Sequence, residues 1–154
     1  MGNSFVQILN AANIYLFVMA SGQYELIHQT RGDHKSSQAG LDIEVLDVFT
    51  GEQRKPDSLS GGEKFQVSMA LALGLSDVVQ NLAGGKKIDT MYIDEGFGTL
   101  DESVLSKAIE VLTNIAGNQR QIGIISHVDR LEESIQQKIV VKKTDKGSTL
   151  YIES

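Results

Sequence analysis

A Leu-Ser-Gly-Gly-Glu run begins at Leu59 and opens an apolar stretch of helical period. Ser60 is a favourable helix N-cap, and Glu63 stands three residues later, a spacing typical of a capping box. Gly61 and Gly62 carry no side chains, so an anion can approach the first backbone N–H groups closely. Because a helix start offers unpaired N–H donors and the positive end of the dipole, the run predicts a phosphate site. The same residues would also suit an ordinary capped helix.

Two carboxylates follow an apolar run, Met-Tyr-Ile-Asp-Glu, at residues 91–95. The pattern predicts a buried strand that ends in acids, and the carboxyl ends of strands are where open α/β sheets bind ligands. We expect Asp94 to hold Mg²⁺ through water, since Mg²⁺ prefers oxygen ligands and keeps much of its hydration shell. Glu95 is the candidate for orienting or deprotonating an attacking water. A strand followed by an acidic surface turn is the alternative.

A histidine follows a second apolar strand, Gln-Ile-Gly-Ile-Ile-Ser-His, at residues 121–127. A lone histidine is usually a surface residue or a satisfied core residue. Because His127 stands at a strand tip, as the carboxylates do, we interpret it as a candidate γ-phosphate sensor.

Together these motifs resemble those of the ATP-binding-cassette ATPases. Leu59–Glu63 resembles the signature motif, Met91–Glu95 the Walker B motif, Thr99–Asp101 the D-loop and Ser126–His127 the switch histidine. The motifs also follow one another in the order of that family, which makes the set far more specific than any single motif.

The wording of the motifs narrows the resemblance. Transporter ATPases usually have Gln where Glu63 ends the signature and proline where Gly96 follows the acids. Here the sequence resembles the SMC-like ATPases of double-strand-break repair, most closely the SbcC family, from about Ile8 to Ile152. Further similar stretches lie at residues 45–51, 70–77 and 122–128.

The resemblance implies an ATPase head that binds ATP and Mg²⁺ and dimerises face to face with a second head. Asp94, Glu95 and His127 would serve the nucleotide of their own head. The signature would reach the γ-phosphate on the partner head, and the D-loop aspartate would bridge the two sites. The implied nucleotide-binding residues are Ser60, Gly61, Gly62, Glu63 and Asp101.

No P-loop run, Gly-x-x-x-x-Gly-Lys-Ser/Thr, occurs in the sequence. Gly84 is interpreted as a helix C-cap, and Lys86 and Lys87 as a solvated turn. In the SbcC family the P-loop belongs to an N-terminal lobe beyond a long antiparallel coiled coil. We therefore expect residues 1–154 to form a single domain, the C-terminal lobe of a head, and to be inactive alone.

The expected partners are the protein's own N-terminal P-loop lobe, a second copy of the head, an SbcD-type nuclease subunit and DNA, with no membrane. Three alternatives remain: another SMC-like ATPase, a transporter ATPase, or an interaction module that has lost ATP chemistry. The Glu63 ending and Gly96 disfavour a transporter, and intact Asp94, Glu95 and His127 disfavour lost chemistry.

Composition agrees with one compact domain, since 41% of the 154 residues are hydrophobic. A net charge of −6 argues against a freestanding nucleic-acid binder, which is usually basic on one face. The absence of cysteine is consistent with a reducing cytoplasm. It also means that the cysteine zinc hook of the resembled family is not in these residues. The apolar stretch Ile8–Ala20 is too short to span a bilayer.

The predicted fold class is α/β: a mixed sheet with parallel core strands flanked by helices, and a terminal β-hairpin. Residues 5–20 read as a helix, either the root of a coiled coil or a plain amphipathic core helix. The predicted strands are Tyr24–Gln29, Leu41–Phe49, Thr90–Ile93, Ile122–Ser126, Lys138–Thr144 and Ser148–Glu153. The other predicted helices run from the signature to about Leu82, from an Asp101 cap to about Ala116, and near Asp129–Ile135.

Two connections carry basic residues. Thr30–Gly40 holds Arg31, His34 and Lys35, which we interpret as a solvated tip, with contact to DNA as the alternative. Thr50–Ser58 is predicted as a loop, with Arg54 and Lys55 either on the surface or facing the nucleotide.

Overall fold

The structure is a computed structural model that describes residues 2–29, 43–84, 90–94, 96–117, 121–145 and 147–153. The helices are α1 (Gly2–Met19), α2 (Gly61–Leu82), α3 (Glu102–Gly117) and α4 (Asp129–Ser134). The strands are β1 (Tyr24–His28), β2 (Ile43–Asp47), β3 (Glu52–Arg54), β4 (Thr90–Asp94), β5 (Gln121–Ile125), β6 (Lys138–Thr144) and β7 (Gly147–Glu153). Short 3₁₀ turns cover Pro56–Ser58 and Phe97–Thr99.

Helices α1 and α2 pack at backbone contact. A Cβ added at Gly74 of α2 would lie 2.5 Å from the Ala12 nitrogen of α1 and 2.8 Å from the Ile8 carbonyl oxygen. Only glycine allows this approach. Around the contact, buried apolar side chains of both helices form the centre of the core: Leu9, Ala12, Leu16, Met19, Val67, Ala70 and Leu73.

Strands β1, β2 and β3 form an antiparallel sheet, in which Tyr24 pairs with Asp47 and Val45 pairs with Arg54. The predicted pairing of the first two strands is confirmed. The prediction of a plain loop at Thr50–Ser58 was wrong, because β3 and a 3₁₀ turn lie there. The sequence Glu-Gln-Arg of β3 is polar throughout, so it lacks the alternation that marks a half-buried strand.

Strands β4 and β5 form a parallel pair whose ends are in register, with Thr90 opposite Gln121 and Asp94 opposite Ile125. Helix α3 makes the connection between them, as the predicted strand–helix–strand order requires. The α/β class, the parallel pair and the terminal hairpin β6–β7 are therefore confirmed. In the described part of the chain the parallel and antiparallel strands belong to separate sheets.

One face of the terminal hairpin is apolar and open to solvent. Its register places Ile139 opposite Ile152 and Val141 opposite Leu150. These four side chains are between 67% and 75% exposed. A contiguous exposed apolar face of this kind marks an interaction surface. Among the described helices, none is long and apolar enough to cross a membrane.

Candidate functional site

The start of α2 has the geometry that the Leu-Ser-Gly-Gly-Glu run predicts. Ser60 is the N-cap, and its Oγ accepts a hydrogen bond from the Glu63 backbone N–H at 3.3 Å. In return, Glu63 Oε2 accepts from the Ser60 backbone N–H at 2.7 Å, which completes the capping box. Ser60 and Gly61 are exposed, so the first turn of the helix can meet a ligand or another molecule.

The other carboxylate oxygen of Glu63 is bound by a residue outside every motif. Tyr24, the first residue of β1, donates from its hydroxyl to Glu63 Oε1 at 2.5 Å. The Tyr24 bond, followed by the Ser60 N–H, holds the pKa of Glu63 below its usual value. Burial, and then the bond to Glu63, raise the pKa of Tyr24 to about 12. The phenol therefore stays protonated and donates at any physiological pH.

A buried aspartate anchors the sheet next to this bond. Asp47 is 2% exposed and accepts from Gln23 Nε2 at 3.2 Å and from Arg54 Nη2 at 3.2 Å. Its Oδ1 accepts from the backbone N–H groups of Phe49 and Thr50. Burial alone would raise the pKa of Asp47, but these hydrogen bonds and the Arg54 charge outweigh it and keep the pKa low.

The ion pair with Asp47 also decides how Arg54 is used. Its guanidinium contacts Asp47 at 3.2 Å and Glu52 at 3.5 Å, and only 30% of the side chain is exposed. Arg54 thus braces the sheet rather than projecting freely toward a ligand, whereas Lys55 is exposed.

The second predicted cluster lies at the carboxyl ends of the parallel strands. Asp94 is the last residue of β4, is exposed, and lies opposite the last residue of β5. His127 follows two residues beyond that end, and a Cβ added at Gly98 would lie 3.8 Å from its Nε2. Asp94 and His127 are therefore at the same edge, as predicted. Glu95 lies outside the described residues.

Asp94 suits a magnesium ion that retains much of its water. An exposed carboxylate at a strand end offers one hard oxygen ligand, and Mg²⁺ is commonly held by one or two carboxylates plus phosphate and water. In the part of the chain that the structure describes, no three metal-binding side chains converge on one point. Any cation here would depend on Asp94 together with ligands from a nucleotide and solvent.

The segment after the acids joins the two clusters. Gly96 has φ +96° and starts the 3₁₀ turn that buries Phe97. The Phe97 ring lies 4.9 Å from the ring of Phe65 on α2. Further on, Leu100 Cδ2 lies 4.0 Å from the position of a Cβ added at Gly62. The acid-bearing edge thus packs directly on the first turns of α2.

Asp101 caps α3, as the sequence predicts. Its Oδ1 accepts from the backbone N–H groups of Ser103 at 2.9 Å and Val104 at 3.0 Å, and from the Ser103 hydroxyl. The Val104 and Ser103 bonds hold the pKa of Asp101 low. At the far end of α2, Ala83 is the C-cap and Gly84 follows with φ +71°, the left-handed position predicted to end that helix.

Several predicted residues lie outside the described part of the chain: Arg31, His34, Lys35, Lys86 and Lys87. Conversely, the sequence analysis missed Tyr24 and β3. Tyr24 was only a residue in a predicted strand, and nothing local connects it with a carboxylate 39 positions away.

The fold is that of an SMC ATPase head. A solved structure from work on "ATP-driven dimerization and DNA stimulated activation of SMC ATPases" superposes with a TM-score of 0.74. The match covers 99% of this chain and 86% of that one at 19% sequence identity, a level that establishes the fold alone. Residues 38–114 match the family described as SbcC/RAD50-like, Walker B motif. The chain belongs to this SbcC/RAD50-like family.

Curated relatives agree with the family. The SbcC subunit of the SbcCD nuclease from Treponema pallidum (strain Nichols) is 46% identical over 146 residues, covering 94% of this chain. The protein of the same name from Staphylococcus aureus (strain JH9) is 45% identical over 136 residues, covering 88% of this chain. The chain spans only 14% and 13% of the length of these relatives. The predicted resemblance is confirmed, and the family disfavours a transporter ATPase.

Proposed function

We propose that this chain forms the C-terminal half of an SbcC-type ATPase head, which is completed by an N-terminal P-loop lobe. The observation that carries the proposal is the direct packing of the acid-bearing edge on the signature helix, through Phe97 on Phe65 and Leu100 beside Gly62. In a face-to-face dimer these two regions would serve different nucleotides. Their contact therefore offers a physical route by which one site would sense the other.

Each candidate residue has a distinct task in this proposal. When bound, Mg-ATP supplies the γ-phosphoryl group whose transfer to water powers the cycle. Asp94 would hold the ion through water, and Glu95 would orient or deprotonate the attacking water. His127 would donate a hydrogen bond to the γ-phosphate of its own head.

The exposed start of α2 would act on the other head. Ser60 and the backbone N–H groups of Gly61 and Gly62 would contact the γ-phosphate bound by the partner, where the helix dipole favours an anion. Glu63 would fix this first turn, and Asp101 would stand between the two sites. ATP would thereby hold two heads together, and hydrolysis would release them.

The relatives are named as one component of a two-part nuclease, which supports a nuclease partner of SbcD type, and we extend that partnership to this protein. DNA would be bound by the assembled complex, since the net charge of −6 gives the chain no overall attraction for phosphates. A cytoplasmic location is part of the same proposal.

Reconstitution of the head tests the proposal. The P-loop lobe of the same protein is joined to this chain by a short linker, and mass is measured by light scattering with and without Mg-ATP. We expect a single head without nucleotide, two heads with ATP, and steady hydrolysis. A matched head with the P-loop lysine changed to alanine should remain single. Equal masses with and without ATP in the unmodified head would contradict the proposal.

A further inference from the structure

The first turns of α2 are tied to the region where α1 leads into β1. Tyr24 donates to Glu63 at 2.5 Å, and the buried Gln66 donates through Nε2 to the Met19 carbonyl oxygen at 2.8 Å. Met19 is the last residue of α1, and Tyr24 is the first residue of β1. One turn of α2 therefore contacts both ends of the short connection between them.

Glu63 divides its carboxylate between two donors. Oε2 accepts from the Ser60 backbone N–H, and Oε1 accepts from the Tyr24 hydroxyl. Without the tyrosine bond, the carboxylate would be free to rotate away from the orientation that holds Ser60. Hydrogen bonds to ionised groups are stronger than neutral ones, so this loss would be felt at the helix start.

The surroundings of Tyr24 fix its direction. It lies opposite Asp47 in the β1–β2 register, and Asp47 is locked by Gln23 and Arg54. The negative charges of Glu63 and Asp47 both disfavour ionisation of the phenol, and the Arg54 charge opposes them. The hydroxyl is thus kept as a donor, and Glu63 is the acceptor it reaches.

We propose that Tyr24 is a positioning residue for the signature motif, which holds Glu63 so that Ser60 keeps the geometry needed to meet the partner's nucleotide. The inference rests on the proposed function and deepens it. It also makes α1 and the antiparallel sheet part of the support of the signature, because Tyr24 stands at the junction of the two.

A matched control exists on the same helix. The hydroxyl of Tyr15, on α1, donates to Asp77 Oδ2 of α2 at 2.5 Å. Both bonds join a partly buried tyrosine to a carboxylate of α2, but Asp77 lies near the opposite end from the signature. Tyr15→Phe therefore removes the same chemistry without touching the capping box.

The experiment compares Tyr24→Phe, Tyr15→Phe and Ser60→Arg in the complete protein. Three quantities are measured: the protein concentration at half-maximal ATP-driven dimerisation, ATP binding at concentrations too low for dimers, and hydrogen exchange of the segment around Ser60. For Tyr24→Phe we expect about a tenfold higher dimerisation midpoint, as befits the loss of one bond to a charged group. Exchange at residues 60–64 should be faster, with ATP binding to the single head unchanged. Tyr15→Phe should match the wild type in all three.

The outcomes separate the two proposals. If Ser60→Arg abolishes dimerisation but Tyr24→Phe behaves like Tyr15→Phe, the positioning role is wrong and the proposed function stands. If Tyr24→Phe weakens ATP binding to the single head as much as it weakens dimerisation, its role is general stability, and the inference also fails. If Ser60→Arg dimerises like the wild type, the proposed function fails and the inference fails with it.

Discussion

The aromatic rings of Phe65 and Phe97 lie 4.9 Å apart at an angle of 58°. Phe65 follows the signature on α2, and Phe97 is the buried centre of the turn after the acids of β4. Gly96 adopts φ +96°, and a Cβ there would lie 3.0 Å from the Phe65 ring, so the turn can approach α2 only with glycine at this point. The two halves of the candidate site therefore share one packed contact.

Phe65→Leu in the complete protein tests this contact. Aromatic pairs contribute about 0.5–1.5 kcal/mol beyond their burial, so we expect ATP hydrolysis to fall roughly fivefold with the fold retained. Phe5→Leu is the control, because Phe5 pairs edge-on with His28 at 5.1 Å away from both motifs. It should cost similar stability and leave hydrolysis unchanged. Equal rates for the two variants would show that the Phe65–Phe97 contact has no functional part.

Ser60→Arg should abolish ATP-driven head association without unfolding the head. Ser60 is an exposed N-cap, so a bulky cation would block the partner's nucleotide while costing about 1 kcal/mol of capping energy. Light scattering with ATP measures the association. Ser106→Arg places the same charge on the exposed surface of α3 and should dimerise normally. Normal dimerisation of both variants would remove the signature from the interface.

Glu95→Gln should trap ATP-bound dimers in the complete protein. The amide keeps the shape of the side chain but cannot act as a base, and loss of a general base typically slows a reaction by about 10²–10⁴-fold. Nucleotide binding should be largely intact. Glu110→Gln, an exposed change on α3, is the control. Turnover at the wild-type rate in the Glu95 variant would exclude Glu95 from the chemistry.

Gly74→Ala should destabilise the head by about 1–3 kcal/mol, the usual cost of an overpacked core. Its new methyl would meet the Ala12 backbone at 2.5 Å, where no flexible side chain can move aside. Gly62→Ala makes the same change on the same helix, where the new methyl would lie 4.0 Å from Leu100 Cδ2, and should change stability little. Urea unfolding of the two variants measures the difference. A neutral Gly74→Ala would mean that α1 and α2 can separate at little cost.

Local spacing predicted much of this molecule, and contacts between distant segments explain what it missed. The Ser60–Glu63 capping box and the Asp101 cap are each written within a few residues, and both were found by sequence alone. The register of β4 and β5 followed from two apolar runs with polar tips. Tyr24 escaped notice because its acceptor is 39 positions away, a relationship that only the folded sheet creates. Strand β3 was missed because its pairing with β2 depends on the Asp47–Arg54 ion pair rather than on apolar alternation.

The isolated chain should neither bind Mg-ATP tightly nor hydrolyse it. Phosphoryl transfer of this type needs P-loop amides and a lysine around the β- and γ-phosphates, and the sequence contains no such run. The start of α2 alone offers only a few amides, for which water competes. Calorimetry with Mg-ATP on the isolated chain is the direct measurement.

Self-association should accompany that inactivity. The hairpin face of Ile139, Val141, Leu150 and Ile152 is open, and an apolar groove of about 390 Å³ lies between α2 and β4. These surfaces would be covered in a complete head and would otherwise bury themselves against other copies. Ile139→Lys with Ile152→Glu should therefore reduce aggregation of the isolated chain, and the pair leaves the hairpin register unchanged because the two residues face each other. Lys142→Glu, on the opposite face of β6, is the control and should aggregate like the unmodified chain. Micromolar ATP binding with steady turnover by the isolated, monomeric chain would show that a complete site exists without the P-loop lobe.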